Sequence, residues 1–600
     1  MDVCVARGAR LRQDSRLRAR PIPAEATHKS VVGKVPITPL QTALEEILSA
    51  VPGDVALELR LADLCSLLQD SRRPIGVSIR TKMLLHIDGK EILKNRCAEN
   101  LSMDPHRQPF EKLYAQSSAR PSANAPLHEQ ILGARVTCIN CGRGIGGATR
   151  EASLPAEAER LLRSEMAFVM RGHALWPAAE SRWGDRGFLE AELAGAGGCA
   201  VLASPSRSKD FLYWNAPRRF DSLATAMAKG HDRVLAPYDF DEPSVDQLNL
   251  TVEEFFRFCD NDKSDERARD KTMYLQHCIV KPAPPPPPDG AVPAKPAPAS
   301  MTLGRDGVEM RPTFGLGKRM RADITDGIDR GFLEKLRAAG RLGPWISTVL
   351  FVGGRTAGGA RTRLHFDQVD NLYLQVSGVK RFRIFDPRQS GCLAPYPWHH
   401  PMDRSAQVDL RDIPRSAKLF PQFAEARGAE VELKPGDLLF LPAYWWHEVL
   451  TDAAGLEEVG SHRGLTVSVN FWFSAAPKLQ DPQPSVPLCP MLEAELARQM
   501  EMSIADALGD RGAFVPPFLR ALGKQLAATT TGKQTHHGST PWSILHAHRP
   551  AGVDSQAWSV LFEYLVAKLC LWLPSPGHLL PFLRRHCDAS RFNRLLLMQR

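Results

Sequence analysis

Residues 362–380 of this 600-residue chain read TRLHFDQVDNLYLQVSGVK, and 82 positions beyond the first histidine the chain reads LPAYWWHEVL. His365 and Asp367 stand two apart, and His447 follows at long range among aromatic residues. Two imidazoles and one carboxylate can take one face of an octahedral Fe(II) ion, leaving positions for O2 and a co-substrate. A lone histidine among aromatics is more often a hydrogen-bonded core residue. The H-x-D pair upstream is what marks His447 as a third ligand.

Strands are the elements that would position these groups. Alternate residues of a strand share a face, so His365 and Asp367 project together while Leu364 and Phe366 pack behind them. Ser377-Gly378 reads as a turn, after which Val379 to Phe385 returns. On that return Lys380, Phe382 and Ile384 share one face, and Arg381 and Arg383 the other. A cation heading an apolar face is costly unless it meets an anion; the distal carboxylate of a 2-oxo acid would serve. The bland alternative is a surface lysine that snorkels. Pro435-Gly436-Asp437 predicts a turn before a short apolar strand, Leu438 to Leu441. A last strand sets Leu465, Val467, Val469, Phe471 and Phe473 against Thr466, Ser468, Asn470 and Trp472. Such a polar row, capped by tryptophan, suits a barrel interior that holds a polar ligand.

These motifs resemble the JmjC/cupin branch of the Fe(II)- and 2-oxoglutarate-dependent oxygenases, and within it the asparaginyl hydroxylases typified by factor inhibiting HIF. The resemblance covers roughly residues 153–525. It is strongest from His365 to Asp409, including CLAPYPWHHPMDRSAQVD, and returns in PGDLLFLPAYWWH and TVSVNFWF. AFVMRGHALWPA, SKDFLYW, VEEFFRFCD and MYLQH are weaker echoes upstream. The resemblance implies iron held by His365, Asp367 and His447. It implies 2-oxoglutarate bound by Lys380, Thr362 and Tyr274, with Asn371 and Asn470 lining the same pocket. Tyr213, Gln276, Arg404 and Trp472 fall where the family contacts a protein substrate, and the resemblance implies a partner of ankyrin-repeat type. MLEAELARQMEMSIADALG resembles helices through which the family dimerises, placed here within 488–525.

One departure bears on specificity. Where the family has glutamine after the arginine of its D-R-Q segment, this chain has Asp403-Arg404-Ser405. Serine is shorter and lacks the paired amide donor and acceptor. It leaves the oxygenase chemistry untouched but removes a grip on a target asparagine. The loop DAAGLEEVGSHRG, with its His462, is also longer than the family pattern.

Composition frames the rest. A chain this long exceeds a single core, which predicts two to four domains. The formal charge of +9 is modest and dispersed, which argues against a nucleic-acid partner. No stretch of about 18 uncharged apolar residues predicts a membrane span; the apolar run from Val560 to Leu573 contains Glu563 and Lys568 and ends at Pro574. Twelve cysteines without regular spacing fit reduced thiols and a cytoplasmic or nuclear compartment. Cys138-Ile-Asn-Cys141 has no second pair nearby, and the glycine-rich 142–147 lacks the lysine of a phosphate loop. The first 20 residues hold six arginines and no apolar core, unlike a secretory signal.

The expected architecture is mainly β with flanking helices: a double-stranded β-helix, the cupin or jelly-roll core, over 153–525. Residues 1–152 would be an extension with helical periodicity over 40–69, and 526–600 another, helical in part. The proline-rich stretch 281–300 favours extended polyproline II and would be a surface insertion. Two other readings stay open beside protein hydroxylation. One is a different JmjC reaction, lysine demethylation or RNA hydroxylation; the other is a cupin that binds without catalysis.

Overall fold

The computed structural model describes residues 125–141, 154–214 except 174, 243–283 except 261–264, 301–302, 309–452 except 355–356 and 399, 464–475, 490–508 and 579–593, with a few helical positions between 515 and 569. The periodic segment 40–69, the glycine-rich 142–147, most of the proline-rich stretch, the loop with His462 and the run 560–573 all lie outside the described residues.

In chain order the strands are β1 Ala134–Arg135, β2 Thr137–Asn140, β3 Phe168–Arg171, β4 Cys199–Pro205, β5 Asp210–Phe211, β6 Asp246–Leu250, β7 Lys271–Pro282, β8 Met301–Thr302 and β9 Glu309–Pro312. They continue with β10 Trp345–Gly353, β11 Arg361–Phe366, β12 Val369–Ser377, β13 Lys380–Phe385, β14 Gly428–Leu433, β15 Leu438–Leu441, β16 Trp446–Thr451 and β17 Thr466–Ser474. Two sheets result. The smaller runs β1-β14-β13-β16-β11-β5; the larger runs β2-β3-β15-β12-β17-β10-β7-β4-β6, with β9 on β7 and β8 on β9. From β11 to β13 and from β14 to β17 consecutive strands alternate between the sheets, β11 and β13 in one and β12 in the other. This is the jelly-roll expected from the alternating pattern.

Each sheet has an inner and an outer face. On β17, Val467, Val469, Phe471 and Phe473 join the core on the outer side, packed with Trp176, Trp345 and helix residues such as Leu333 and Leu336. Thr466, Ser468 and Asn470 are buried on the inner side. Two helices outside that sheet start at side-chain caps. Thr251 and Glu254 form a reciprocal capping box for Val252–Cys259, and Asp329 caps Arg330–Gly340 through Phe332 N–H. Gly378 turns β12 into β13 with φ +70°, the left-handed region that a side chain would strain.

Two boundaries differ from expectation. β1 and β2 lie before residue 153, yet β1 pairs with β14 and β2 with β3, extending both sheets. Strands of two and four residues carry too little alternation to be read from sequence, but a sheet edge gains hydrogen bonds from them. Lys281 and Pro282 continue β7 and pair with Arg311 and Met310 of β9. The insertion therefore leaves and re-enters one sheet edge, where proline is tolerated.

The outer face of the smaller sheet is tied by charge. Arg361, 3% exposed, donates to Asp210 at 3.0 Å, Asp409 at 2.7 Å and Glu448 at 3.0 Å. Arg383 reaches Glu448 and Glu430. Removing one member of such a buried group leaves uncompensated carboxylates. Arg361→Leu is expected to lower the unfolding free energy by about 3–5 kcal/mol, read from urea midpoints.

Burial also fixes an acid limit. Burial pushes His277 down to about 4 and His400 down to about 3, so both are neutral in the fold. The unfolded chain takes up these protons first, near pH 6.5. Their contribution is complete above that pH and is lost as pH falls towards 4 and then 3. Unfolding at pH 5 should need at least about 2 kcal/mol less than at pH 7.5.

Candidate metal centre

Antiparallel register sets His365 of β11 directly opposite His447 of β16, with Ile384 of β13 beyond it. Their ring centroids are 4.2 Å apart, and His447 Nε2 lies 3.8 Å from Asp367 Oδ2. One ligand atom from each of His365, Asp367 and His447 falls within 4.8 Å of the others. Nδ1 of His365 donates to the Arg363 carbonyl at 2.7 Å, and Nδ1 of His447 to the Trp445 carbonyl at 3.0 Å. Both rings thus turn Nε2 towards the common point, as backbone-held metal ligands do. Burial and the neighbouring His447 push His365 down to about 4, so its imidazole is neutral and its lone pair free. Two neutral imidazoles and a carboxylate fit a divalent first-row cation.

A bulge makes the inner face work. β11 pairs Thr362 with Val449 but His365 with His447, one extra residue having entered β11. Strict alternation would put Thr362 and His365 on opposite faces. The bulge re-phases the strand so that both face inward while Leu364 and Phe366 stay in the outer core. Two strained residues then bracket the H-x-D pair. Arg404, φ +71°, accepts from Phe366 N–H through its carbonyl, and Tyr444, φ +66°, donates its N–H to the Asp367 carbonyl. Left-handed conformations of bulky residues persist only where surrounding structure imposes them.

Deeper on the inner faces lies Lys380, 1% exposed. Its Nζ donates to Tyr274 Oη at 2.6 Å, Tyr373 Oη at 2.7 Å and Ser468 Oγ at 2.9 Å. Those partners are neutral hydroxyls, and burial pushes the ammonium down to about 7. A buried cation satisfied only by hydroxyls is set to receive an anion. Sequence reasoning placed Lys380 and Tyr274 here but missed Tyr373, although alternation from Asn371 along β12 would have found it.

The remaining expected residues fall around the same space. Thr362 stands in register with Phe211, whose ring lies 5.3 Å from Tyr274. Asn470 Oδ1 accepts from Val349 N–H at 3.2 Å, so this group is partly spent on the sheet. Tyr213 donates to Gln276, and its ring lies 6.4 Å from that of His365. Arg404 is near enough for its charge to act on His365. Trp472 pairs across strands with Asn371 on one side and Ser347 on the other. Trp472 Nε1, Asn371 Oδ1, Ser347 Oγ and Gln276 Nε2 are buried polar atoms without a hydrogen-bond partner. Such atoms call for a ligand or water. Ser347 was not anticipated, because the bulge at Trp345/Ser347 that turns it inward has no sequence signal.

A family model described as a cupin-like domain matches residues 168–479, just over half of the chain. The chain belongs to the cupin-like, JmjC-type family. Among curated proteins, HSPB1-associated protein 1 of Mus musculus is 38% identical over 116 residues, 19% of this chain and 22% of that protein. tRNA wybutosine-synthesizing protein 5 of Homo sapiens is 38% identical over 92 residues, 15% of this chain and 27% of that protein. The similar stretches thus span about a quarter or less of those relatives. Among the described residues no helix of this cupin-like chain is long and apolar enough to cross a membrane.

Proposed function

We propose that this chain is an Fe(II)- and 2-oxoglutarate-dependent dioxygenase that hydroxylates a side chain of a polypeptide. The observation that carries the reading is the pairing of two sites across one jelly-roll interior: a convergent His365, Asp367 and His447, and a buried Lys380 surrounded by hydroxyls. When bound, Fe(II) with 2-oxoglutarate and O2 supplies the oxidation: the oxo acid becomes succinate and CO2, and one oxygen atom enters a substrate C–H bond.

The protein's own share is geometry and charge. His365, Asp367 and His447 would hold the ion on one face. Lys380, Tyr274 and Thr362 would bind the distal carboxylate, the ammonium by a charge-assisted hydrogen bond. Asn371 and Asn470 would flank the co-substrate. Trp472, Gln276, Tyr213 and Arg404 would meet the group to be oxidised. The unpartnered atoms of Trp472, Gln276 and Ser347 combine donors with an acceptor and carry no charge. They suit a neutral polar group, such as an amide, better than the ammonium a lysine demethylase would need. Asparagine in an ankyrin-type segment is one such target, although Ser405 cannot grip its amide as the family's glutamine does.

A second reading keeps the chemistry and changes the substrate to RNA; the relative named for tRNA wybutosine synthesis favours it. The full chain, incubated with Fe(II) and 2-oxoglutarate, should form succinate without an added substrate; a cupin that only binds would form none. Mass spectrometry after incubation with ankyrin-type peptides and with a tRNA pool then separates the readings. Gain of one oxygen on the peptides supports the proposal; gain on tRNA alone replaces it with the second reading.

A further inference from the structure

Residues 395–398 and 400–407 form the described part of a hairpin against the strand that carries the first metal ligand. Ala406 N–H donates to the Leu364 carbonyl at 2.9 Å, and Phe366 N–H to the Arg404 carbonyl at 3.0 Å, which sets Ser405 opposite His365. The other arm pairs through Tyr396 N–H to the Ser405 carbonyl at 3.0 Å and Gln407 N–H to the Ala394 carbonyl at 3.0 Å. The outer arm is thus paired to the inner one and not to β11 itself. A further anchor comes from the far end of the chain.

Arg591, 6% exposed, donates through Nε to the Pro395 carbonyl and through Nη2 to the Tyr396 carbonyl at 3.3 Å. Its own carbonyl accepts from Gln407 Nε2 at 2.8 Å, so one residue clasps both arms. Its guanidinium pairs with Glu501 at 2.6 Å, and Glu501, 2% exposed, also accepts from Trp398 N–H at 2.6 Å. On the same helix, Pro490–Leu508, Arg498 pairs with Asp403, the neighbour of Arg404. A charged pair this deeply buried is costly unless its donors are used; here Nε and Nη2 of Arg591 are spent on backbone carbonyls of the hairpin, and Nη1 donates to the His586 carbonyl of its own segment at 3.3 Å.

We propose that the Arg591–Glu501 pair is a positioning device: the C-terminal segment clamps hairpin 395–407 onto β11 and so fixes where His365, Arg404 and Ser405 stand at the mouth of the site. The inference takes its meaning from the oxygenase reading but not its test. The C-terminal extension then belongs to the site, although it lies beyond the span of the family resemblance.

The test uses the full chain with Arg591→Met and Arg591→Lys, loaded with Co(II), a spectroscopic substitute that needs no turnover. Amide hydrogen exchange is followed for peptides covering 361–367 and 394–407, with β12 and β17 as internal controls. Arg591→Met should speed exchange at Phe366 and Ala406 at least about tenfold, leave the control strands unchanged, and alter the visible absorption of bound Co(II). Arg591→Lys, which keeps the charge for Glu501, should restore part of both. If Arg591→Met does not fold, Glu501→Gln takes its place, since it keeps shape and removes charge. Unchanged hairpin exchange overturns the proposal. So does faster exchange spread evenly over both sheets, or a local change that leaves the Co(II) spectrum as it was. Absence of succinate formation in the unaltered chain would instead overturn the oxygenase reading and leave this clamp standing.

Discussion

In the His447→Ala variant, Fe(II) binding should weaken by more than about a hundredfold and succinate formation should fall to background. Losing only an outer hydrogen-bond partner of a metal ligand typically costs about 10–100-fold, and here a donor atom itself is lost. Two remaining ligands, His365 and Asp367, would sit on one strand end with nothing across the sheet to close the face. Fold should survive, because the hydrogen bond His447 makes, from Nδ1 to the Trp445 carbonyl, is local and ties no second strand. Thermal unfolding without metal controls for this. Retained turnover in a folded variant would rule out the assignment, whatever the loss in stability.

Lys380→Met should raise the apparent KM for 2-oxoglutarate by about ten- to a hundredfold, the loss expected when a buried charge-assisted contact worth about 1.5–3 kcal/mol is removed. The ligand-free protein should not melt earlier. A cation buried among hydroxyls is penalised, and a methionine of similar length fills the space without charge. A clear drop in Tm with little change in KM would mean that Lys380 is a structural strut. The pH dependence gives a second, independent sign. With its pKa pushed to about 7 by burial, Lys380 is increasingly neutral above that pH in the free protein. A bound carboxylate would favour the charged form, so binding takes up a proton. Affinity for 2-oxoglutarate should therefore fall as pH rises above about 7, approaching tenfold per unit, and Lys380→Met should lack that slope.

Arg361 has no reactive role, and its expected effect is on stability alone. Its charge cluster lies on the outer face of the sheet whose inner face carries the ligands. That separation follows from the bulge in β11, which turns Arg361 out and both Thr362 and His365 in.

Local chemistry made much of this protein legible before any coordinates. H-x-D spacing places two donors on one side of a strand because side chains alternate, and the polar row of β17 declares an interior for the same reason. The Lys380 face and the turns at Gly378 and Gly436 follow equally from short-range rules. Tertiary structure alone decided how these pieces meet. The register that sets His447 opposite His365 spans 82 residues, and no local rule fixes a pairing at that distance. Bulges at residues 363–364 and 346 cost one residue each and leave no mark in composition, yet they determine that Thr362 and Ser347 face the cavity. The left-handed Arg404 and Tyr444 hold conformations their own side chains disfavour, so only the packed surroundings explain them. Arg591 reads as one basic residue among many in a C-terminal tail; its contact with Pro395 exists because folding brings together segments that sequence keeps nearly two hundred residues apart.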